Sequence, residues 1–395
     1  MLIFPIAERV SGLPFAGIRK VFEKAAQLET KGEKVIHFEI GRPDFDTPAH
    51  IKDAAKHALE QGLVHYTPNT GILLLKRALA ESILADKKVS YDPDGEIMIT
   101  AGGQEALFLS LMSILEEKDE VLIPDPGYSQ YISLVSLLGG VPRMVPLLEK
   151  ENGMMDLEEA EKIISRQTRI LIINSPHNPT GGVLTGEQLA RLCAFAKKHS
   201  LIILSDEAYD KILYENREHI SPAAIGGMDK QTVICGSLSK TYSMTGWRIG
   251  YLAAPRALIE AAIKVQQNVM LSVGSFSQYG ALAAVSASQG CVEEMVLEFD
   301  RRRRAILRGI EKIPLLEVPL HPQGAFYVFV RFKLPGIDSL TLCNYLLEEA
   351  GVAVVPGSAF GKHGVDAFRI SFAASYDDCC EGMERIKEAL ARFAG

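Results

Sequence analysis

Three short runs rich in β-branched and aliphatic residues are each followed by polar side chains that can take part in chemistry. The runs, Arg169–Ile173, Leu201–Leu204 and Thr232–Cys235, have the apolar character of strands buried on both faces. The polar side chains are Asn178 after the first run, Asp206 and Tyr209 after the second, and Ser237 and Lys240 after the third. Because ligands of open α/β sheets bind beyond the carboxyl ends of the strands, we expect these groups to line one polar pocket.

Lys240 is the candidate nucleophile of this pocket. An amine at the mouth of a buried sheet is poorly solvated, which lowers its pKa and makes it reactive toward carbonyl groups. An isolated S-x-S-K sequence is more often an exposed loop lysine. Here Ser237, Ser239 and Arg248 belong to the same segment, and two hydroxyls with a guanidinium can hold a phosphate beside the amine. An amine, a phosphate clamp and the carboxylate of Asp206 are together what pyridoxal phosphate requires.

Other common site chemistries lack their sequence signatures. No G-x-G-x-x-G follows the first strand, and Ser237–Thr241 lacks the glycine that precedes the lysine of a P-loop. The histidines form no H-E-x-x-H motif, and we interpret His50 and His57 as surface residues of one helix. The G-x-S-x-G elbow typical of serine hydrolases does not occur either. We therefore expect neither a metal site nor a P-loop.

Alternating helix and strand signals must position the pocket, and they predict a parallel sheet with helices on both faces. Thr47-Pro48 predicts an N-cap and a first helical residue for a helix over Ala49–Gln61. Thr185 and Gln188 form a capping-box pattern before a predicted helix over Gln188–His199.

The pattern changes near residue 290, where a smaller α+β domain is expected to begin. Its predicted elements are a helix over Val292–Ile310, a strand over Ala325–Phe332, a helix over Ser339–Ala350, a strand over Phe368–Phe372 and a closing helix. We divide the chain into an N-terminal arm that joins the small domain (1–40), a large cofactor-binding domain (41–290) and the small C-terminal domain (291–395).

Composition and charge exclude several classes of protein. The chain has 395 residues, 47% of them hydrophobic and 23% charged, which excludes a disordered or fibrous protein. Its 42 Lys and Arg against 49 Asp and Glu give a net charge of −7, so it lacks the electrostatic footprint of a nucleic-acid or anionic-membrane binder. The basic run Arg301–Arg304 lies among acidic residues, and we interpret it as a solvated helix face.

Cysteine usage and the amino terminus favour a cytoplasmic location. The six cysteines are scattered without a C-x-x-C pair, which fits neither a disulfide framework nor a zinc module. The apolar part of the first ten residues is too short for a signal peptide, and no apolar run has the length needed to cross a bilayer.

The sequence resembles the fold-type I, pyridoxal-phosphate-dependent aminotransferases of the aspartate aminotransferase superfamily (class I/II). The resemblance extends from Gly41 to Arg369, and its motifs occur in the order typical of the family. They are Gly41-Arg-Pro-Asp-Phe45, Tyr66-Thr-Pro68, Ala101-Gly-Gly-Gln-Glu-Ala-Leu107, Pro126-Gly-Tyr128, Asn178-Pro-Thr-Gly181, Asp206-Glu-Ala-Tyr209, Ser237-Leu-Ser-Lys240, Gly246-Trp-Arg-Ile-Gly250 and Phe368-Arg-Ile-Ser371. The resemblance implies an α/β large domain with a mostly parallel sheet sandwiched by helices, and a smaller α+β domain.

The resemblance also implies roles around the ring of pyridoxal 5′-phosphate. Lys240 would attach the cofactor covalently and, once displaced by substrate, move the proton between substrate and cofactor. Asp206 would pair with the pyridine nitrogen and keep it protonated. Tyr209 and Asn178 would hydrogen-bond the phenolic oxygen, and Tyr128 would stack on the ring.

At the phosphate, the resemblance implies contacts from Ser237, Arg248 and the backbone N–H groups of Gly103 and Gln104. A helix amino terminus suits an anion, and glycine allows the backbone to approach it closely. Tyr66 is implied to reach the phosphate of a partner subunit, which predicts a homodimer with shared sites.

For the substrate, the resemblance implies that Arg369 receives the α-carboxylate in a bidentate fork, helped by Gly41 and Asn178. The implied reaction is ping-pong transfer of the α-amino group of an L-amino acid to a 2-oxo acid such as 2-oxoglutarate or pyruvate.

Substrate preference depends on the cations available in the pocket. Relatives that prefer aspartate carry a lysine at the position of Gln104 or take an arginine from the partner near Met270, and this chain has neither cation. A buried second carboxylate would then be poorly compensated, which favours neutral, aliphatic or aromatic amino acids unless Arg19 or Arg42 moves in. Aspartate aminotransferase, a β-C–S lyase or α-oxoamine-type relative on the same scaffold, and a non-catalytic regulator or binding protein are the alternatives.

Overall fold

The computed structural model describes residue 4 and residues 6–13 and 17–394. The α-helices of this part of the chain are Glu8–Ser11 (α1), Gly17–Thr30 (α2), Ala49–Glu60 (α3), Leu73–Lys87 (α4), Gly103–Ile114 (α5), Gln130–Leu137 (α6), Leu157–Ile163 (α7), Gly186–Lys198 (α8), Leu238–Thr241 (α9), Arg256–Val269 (α10), Ser275–Ser286 (α11), Gly290–Glu311 (α12), Ser339–Ala350 (α13) and Tyr376–Ala394 (α14). The β-strands are Ile36–His37 (β1), Ile97–Thr100 (β2), Glu120–Asp125 (β3), Val141–Leu148 (β4), Met154–Met155 (β5), Thr168–Asn174 (β6), Ile202–Asp206 (β7), Thr232–Ser237 (β8), Gly250–Ala253 (β9), Leu316–Glu317 (β10), Tyr327–Phe332 (β11), Val352–Ala353 (β12), Val355–Pro356 (β13) and Ala367–Ser371 (β14).

An eight-stranded sheet in the order β2-β9-β8-β7-β6-β3-β4-β5 contains all three strands predicted before the polar groups. The neighbours from β8 to β4 are parallel, whereas β9 and β5 run antiparallel to the strands beside them. Successive residues of β6 serve opposite faces: Ile170 and Ile172 pack with α5 and α10, whereas Leu171 and Ile173 pack with α8. Burial on both faces explains the continuously apolar sequence and confirms the predicted α/β fold.

A second, antiparallel sheet lies in the C-terminal part of the chain, in the order β10-β11-β14-β13. The predicted elements of this region are present, with ends shifted by at most two residues. Strand β1 pairs in parallel with β12, so a segment before residue 41 hydrogen-bonds with the C-terminal region. The division into 1–40, 41–290 and 291–395 stays a prediction, and Met1, Leu2, Ile3, Pro5 and 14–16 of the arm lie outside the described residues.

Helix caps confirm one sequence prediction and correct another. Thr185 and Gln188 form the predicted capping box at the start of α8. The prediction of Thr47 as an N-cap is wrong: Pro48 is the N-cap of α3, and the Thr47 hydroxyl donates a 2.7 Å hydrogen bond to the Ser243 carbonyl. Thr47 therefore ties the helix start to the segment after Lys240.

The interpretation of the run 301–304 as a solvated face is also wrong for its two central arginines. Arg302 and Arg303 are buried, and each is neutralised by carboxylates. Arg302 binds Asp44 at 2.6 Å, and Arg303 binds Asp300 and Glu215, each at 2.7 Å. The acidic neighbours in the sequence indicated ion pairing, but the fold turns the paired side of α12 inward.

Of the helices described, none combines the length and apolar character needed to pass through a bilayer.

Candidate active site

Three neighbouring strands end side by side and place their last residues at one edge of the large sheet. Asn174 of β6 pairs in register with Asp206 of β7, and Asp206 pairs with Cys235 of β8. Beyond this edge lies a cavity of about 580 Å³. Eleven of the twelve predicted site residues line it: Gly41, Gly103, Gln104, Tyr128, Asn178, Asp206, Tyr209, Ser237, Lys240, Arg248 and Arg369. The carboxyl ends of the parallel strands therefore form a single polar pocket, as the sequence predicted.

Lys240 lies in the short helix α9 directly after β8 and points into the cavity. Its Nζ donates a 2.5 Å hydrogen bond to the carbonyl oxygen of Gly41. Burial lowers the pKa of Lys240 to about 8, helped by the positive charges of Arg369 and Arg248. A larger fraction of this amine is neutral near pH 7 than of an ordinary lysine, and a neutral amine is nucleophilic.

Asp206 is a buried carboxylate with a hydroxyl donor and no cation. Tyr131 donates a 2.6 Å hydrogen bond to Oδ2, and the backbone N–H of Ala208 donates to Oδ1 at 3.2 Å. Among the described residues, no lysine, arginine or histidine nitrogen lies within 4 Å of the carboxylate. Burial raises the pKa of Asp206 to about 6 although both donors favour the charged form. The group is therefore arranged to receive a positively charged or protonated ligand from the cavity.

Arg369 of β14 is 2% exposed and has no carboxylate partner within the described part of the chain. Nη1 donates to Asn178 Oδ1 at 3.1 Å, Nη2 donates to the Glu39 carbonyl at 2.8 Å, and Nε has no partner. The guanidinium lies 4.2 Å from the centroid of the Tyr327 ring. A surface ion pair is excluded for this arginine, and a buried, unneutralised guanidinium facing a cavity suits a carboxylate ligand.

Tyr209 and Asn178 both line the cavity, and each is held by a hydrogen bond to another residue. The Tyr209 hydroxyl lies 2.9 Å from the Tyr327 hydroxyl. The Asn178 backbone N–H donates to Asn174 Oδ1 at 2.9 Å, which fixes the loop after β6. Tyr327 also explains why residue 41 is a glycine, because a Cβ on Gly41 would lie 2.4 Å from the Tyr327 hydroxyl.

The start of α5 and the Arg248 guanidinium form an anion cradle in the cavity that Lys240 enters. Helix α5 begins at Gly103 without a side-chain cap, so its first N–H groups are free to bind a ligand. Arg248 donates only to the carbonyl oxygens of Thr245 and Ala101, at 2.9 and 3.3 Å, among the contacts described. Gly102 has φ 78°, and a Cβ there would lie 2.4 Å from Arg248 Nη2, so this turn requires glycine.

Tyr66 is the one predicted site residue that the fold of a single chain leaves outside the cavity. Its side chain is 85% exposed. Exposed apolar side chains accompany it in the same segment and in two others: Leu63, Val64, Val269, Met270 and Phe276.

The sequence reasoning missed two tyrosines that contact predicted site residues. Tyr131, the hydrogen-bond donor to Asp206, lies in α6 three residues after Tyr128, and the two rings meet edge-on. Tyr327, between Tyr209 and Arg369, stands in an apolar strand and gave no comparable signal.

Much of the cavity lining is apolar or uncharged, and it includes Phe22, Ile40, Leu107, Ser129, Gln104 and Gln130. The cations of the described lining are Lys240, Arg248 and Arg369. Arg42 is exposed and does not line the cavity, and the side chain of Arg19 lies outside the described residues. No cluster of three or more metal-ligating side chains occurs among the residues described.

Comparisons with known proteins agree on one family. The family model described as aminotransferase class I and II matches residues 33–386. The chain is 42% identical to an aspartate aminotransferase of Pyrococcus abyssi, over 94% of this chain and 95% of that protein. It is 40% identical to an aromatic-amino-acid aminotransferase 2 of Thermococcus litoralis, over 98% of both chains. The crystal structure of an aromatic aminotransferase from Pyrococcus horikoshii superposes with a TM-score of 0.89 at 41% identity, covering 94% of this chain and 99% of the other.

Proposed function

This chain belongs to the class I and II aminotransferases, a pyridoxal-phosphate-dependent family, and from that premise we propose that its cavity transfers the α-amino group of an L-amino acid with an uncharged side chain to a 2-oxo acid. The observation that carries the proposal is the convergence of three unneutralised groups on one cavity: the Lys240 amine, the Asp206 carboxylate and the Arg369 guanidinium.

The side chains present fit pyridoxal 5′-phosphate. Asp206 without a cation suits the pyridine nitrogen, and Tyr128 lies against the same wall with its ring edge-on to Tyr131. Ser237, Arg248 and the free N–H groups at Gly103 and Gln104 suit the phosphate. When bound, the cofactor supplies an aldehyde that takes up the amino group and a ring that accepts electrons.

The remaining chemistry belongs to this chain's own residues. Arg369 would bind the substrate α-carboxylate, and the Gly41 backbone would hold the opposite side of the same group. Lys240 Nζ would take the proton from the substrate Cα and deliver it to the cofactor. A pKa of about 8 suits this proton transfer near neutral pH. Tyr209 and Asn178, through Tyr327 and Arg369, would fix the orientation of both ligands.

An uncharged substrate side chain is the preference that the cavity supports best. Each described cation in the lining already has a role in this scheme: Lys240 at the reacting atom, Arg248 at the phosphate and Arg369 at the α-carboxylate. A second substrate carboxylate would find no further cation in the described lining, and uncharged side chains compensate a buried charge poorly. The aromatic-amino-acid aminotransferase at 40% identity agrees with this preference.

Aspartate is the alternative substrate, favoured by the aspartate aminotransferase at 42% identity. It would require a cation from outside the described lining, such as Arg42 or the partner subunit.

We also propose a homodimer in which Tyr66 completes the phosphate site of the other subunit. Its 85% exposure and the exposed apolar side chains of the same region support a covered surface there. Sedimentation analysis with and without cofactor tests the dimer. A monomer that binds the cofactor with full affinity would refute this assignment.

A reducing cytoplasm is the location we propose. The support is the set of six cysteines, all of them free, of which Cys193, Cys235, Cys343 and Cys379 are buried.

A half-reaction screen tests the function and the preference together. The cofactor-loaded enzyme is mixed with single amino acids, and the change in cofactor absorbance and the 2-oxo acid released are measured. We expect phenylalanine, methionine or alanine to react well ahead of aspartate, and Gln104→Lys to move the ratio toward aspartate. Aspartate far ahead of the others in the wild type would overturn the preference. Release of pyruvate and ammonia without an acceptor would identify the lyase alternative, and no reaction with any amino acid would favour a binding protein.

A further inference from the structure

A buried lysine outside the cavity holds the turn that carries two of the site residues. Lys87, the last residue of α4, has a side chain that is 3% exposed. Its Nζ lies 2.5 Å from Glu207 Oε2 and 2.7 Å from Asp210 Oδ2. Glu207 directly follows Asp206, and Asp210 directly follows Tyr209. One ammonium group therefore binds the chain next to each of these two cavity residues.

We propose that Lys87 is a positioning residue for Asp206 and Tyr209, because its ammonium group fixes the two carboxylates that follow them in the chain. The proposal rests on the function proposed above, with Asp206 at the pyridine nitrogen and Tyr209 at the phenolic oxygen of the cofactor.

The two carboxylates differ in how far they depend on Lys87. Glu207 also accepts hydrogen bonds from the hydroxyls of Ser205 at 2.8 Å and Ser221 at 2.6 Å, and His219 Nε2 lies 3.0 Å from Oε2. For the Asp210 carboxylate, Lys87 is the partner in the described part of the chain. Loss of the ammonium group should therefore loosen the Tyr209 side of the turn more than the Asp206 side.

The two carboxylates keep the ammonium group of Lys87 charged although it is buried. Burial opposes the charge on Lys87, yet Asp210 and Glu207 hold its pKa well above the ordinary value. Without the ammonium, the two carboxylates that now share it would face each other with little water to screen them. Removal of one partner from a buried group of charges leaves uncompensated charge. We expect the turn to move from its present position, because this movement reduces the repulsion between the two carboxylates.

The test compares Lys87→Met with Lys87→Arg and with Lys76→Met as a matched control. Lys76 is a second buried lysine of α4, and its Nζ donates to Thr70 rather than to the 206–210 turn. Three properties are measured: the affinity for pyridoxal phosphate, the pH midpoint of the bound cofactor's absorbance change at saturation, and the thermal midpoint of the cofactor-free protein.

We expect Lys87→Met to bind the cofactor at least about tenfold more weakly, since repositioning both ring contacts removes part of their hydrogen-bond energy. Its absorbance midpoint should shift by about half a pH unit or more, because Tyr209 no longer holds the phenolic oxygen in place. Lys87→Arg should restore most of both values, and Lys76→Met should match the wild type in both.

A lowered thermal midpoint with wild-type cofactor affinity and wild-type absorbance midpoint would overturn the proposal, since it would make Lys87 a purely structural residue. If Lys87→Met does not fold, Asp210→Ala decides, because it keeps the Lys87–Glu207 pair and removes only the acceptor on the Tyr209 side. An unchanged absorbance midpoint in Asp210→Ala would overturn the proposal as well. Failure of the wild-type chain itself to bind the cofactor would instead refute the proposed function.

Discussion

Replacement of Asp206 by Asn is expected to stabilise the cofactor-free protein while it damages the enzyme. In the absence of ligand, the carboxylate is buried beside Tyr131 and has no cation among the described residues. Burial raises its pKa to about 6 from an ordinary value of 3.8. Each pKa unit corresponds to about 1.4 kcal/mol, so ionised Asp206 costs the folded state about 3 kcal/mol. Asparagine keeps an oxygen for the Tyr131 hydroxyl and removes this cost.

The gain in stability from Asp206→Asn should increase with pH. An acid whose pKa is raised by folding is neutral in both states below about pH 4, so it destabilises nothing there. The cost grows as the pH rises from about 4 to about 6 and is constant above that range. Asp206→Asn should therefore match the wild type near pH 4 and exceed it by up to about 3 kcal/mol at neutral pH.

Chemical denaturation of the cofactor-free wild type and variant at several pH values measures this difference. Catalysis should move the other way, because asparagine cannot keep the pyridine nitrogen protonated; kcat should fall by about two orders of magnitude or more. Equal stability of the two proteins at neutral pH, or a variant with full activity, would refute the role given to burial at Asp206.

Three further substitutions probe the other contacts of the cavity. Lys240→Ala should still bind pyridoxal phosphate, since the other contacts remain, but should lose turnover by several orders of magnitude; full activity would reject its role as the proton carrier. Arg369→Lys should raise KM for every amino acid tested by about tenfold or more with little dependence on the side chain, since one ammonium replaces a bidentate fork; an effect confined to one substrate would contradict α-carboxylate binding. Tyr131→Phe removes a hydrogen bond that favours the ionised form of Asp206, so the pKa of Asp206 should rise by about one unit and cofactor affinity should weaken as the pH falls toward 7; titration of cofactor binding against pH measures this, and an unchanged profile would contradict it.

The residues identified from the local sequence pattern, before any family resemblance, share one property. They follow the ends of strands, where polar side chains interrupt an apolar run. Asp206 and Lys240 are visible in this way because a buried strand tolerates few polar residues. The resemblance to a family added residues that lie elsewhere, including Arg369, which stands in the middle of a strand.

The contacts that the sequence did not reveal depend on long-range packing. Tyr327 meets Tyr209 across 118 residues, and Lys87 meets Glu207 across 120 residues. A periodic pattern describes only the face of its own element, so it gives no information on these partners. The buried arginines of α12 show the same limit, because charge in a sequence indicates pairing but not the side on which the pair lies.

The most direct measurement is the identification of the lysine that carries the cofactor. The purified chain is incubated with pyridoxal phosphate, reduced with borohydride, digested and analysed by mass spectrometry. Labelling at Lys240, lost on addition of a reactive amino acid before reduction, is the expected result. A label at another lysine, or none at all, would contradict the assignment of Lys240 and with it the proposed chemistry of the cavity.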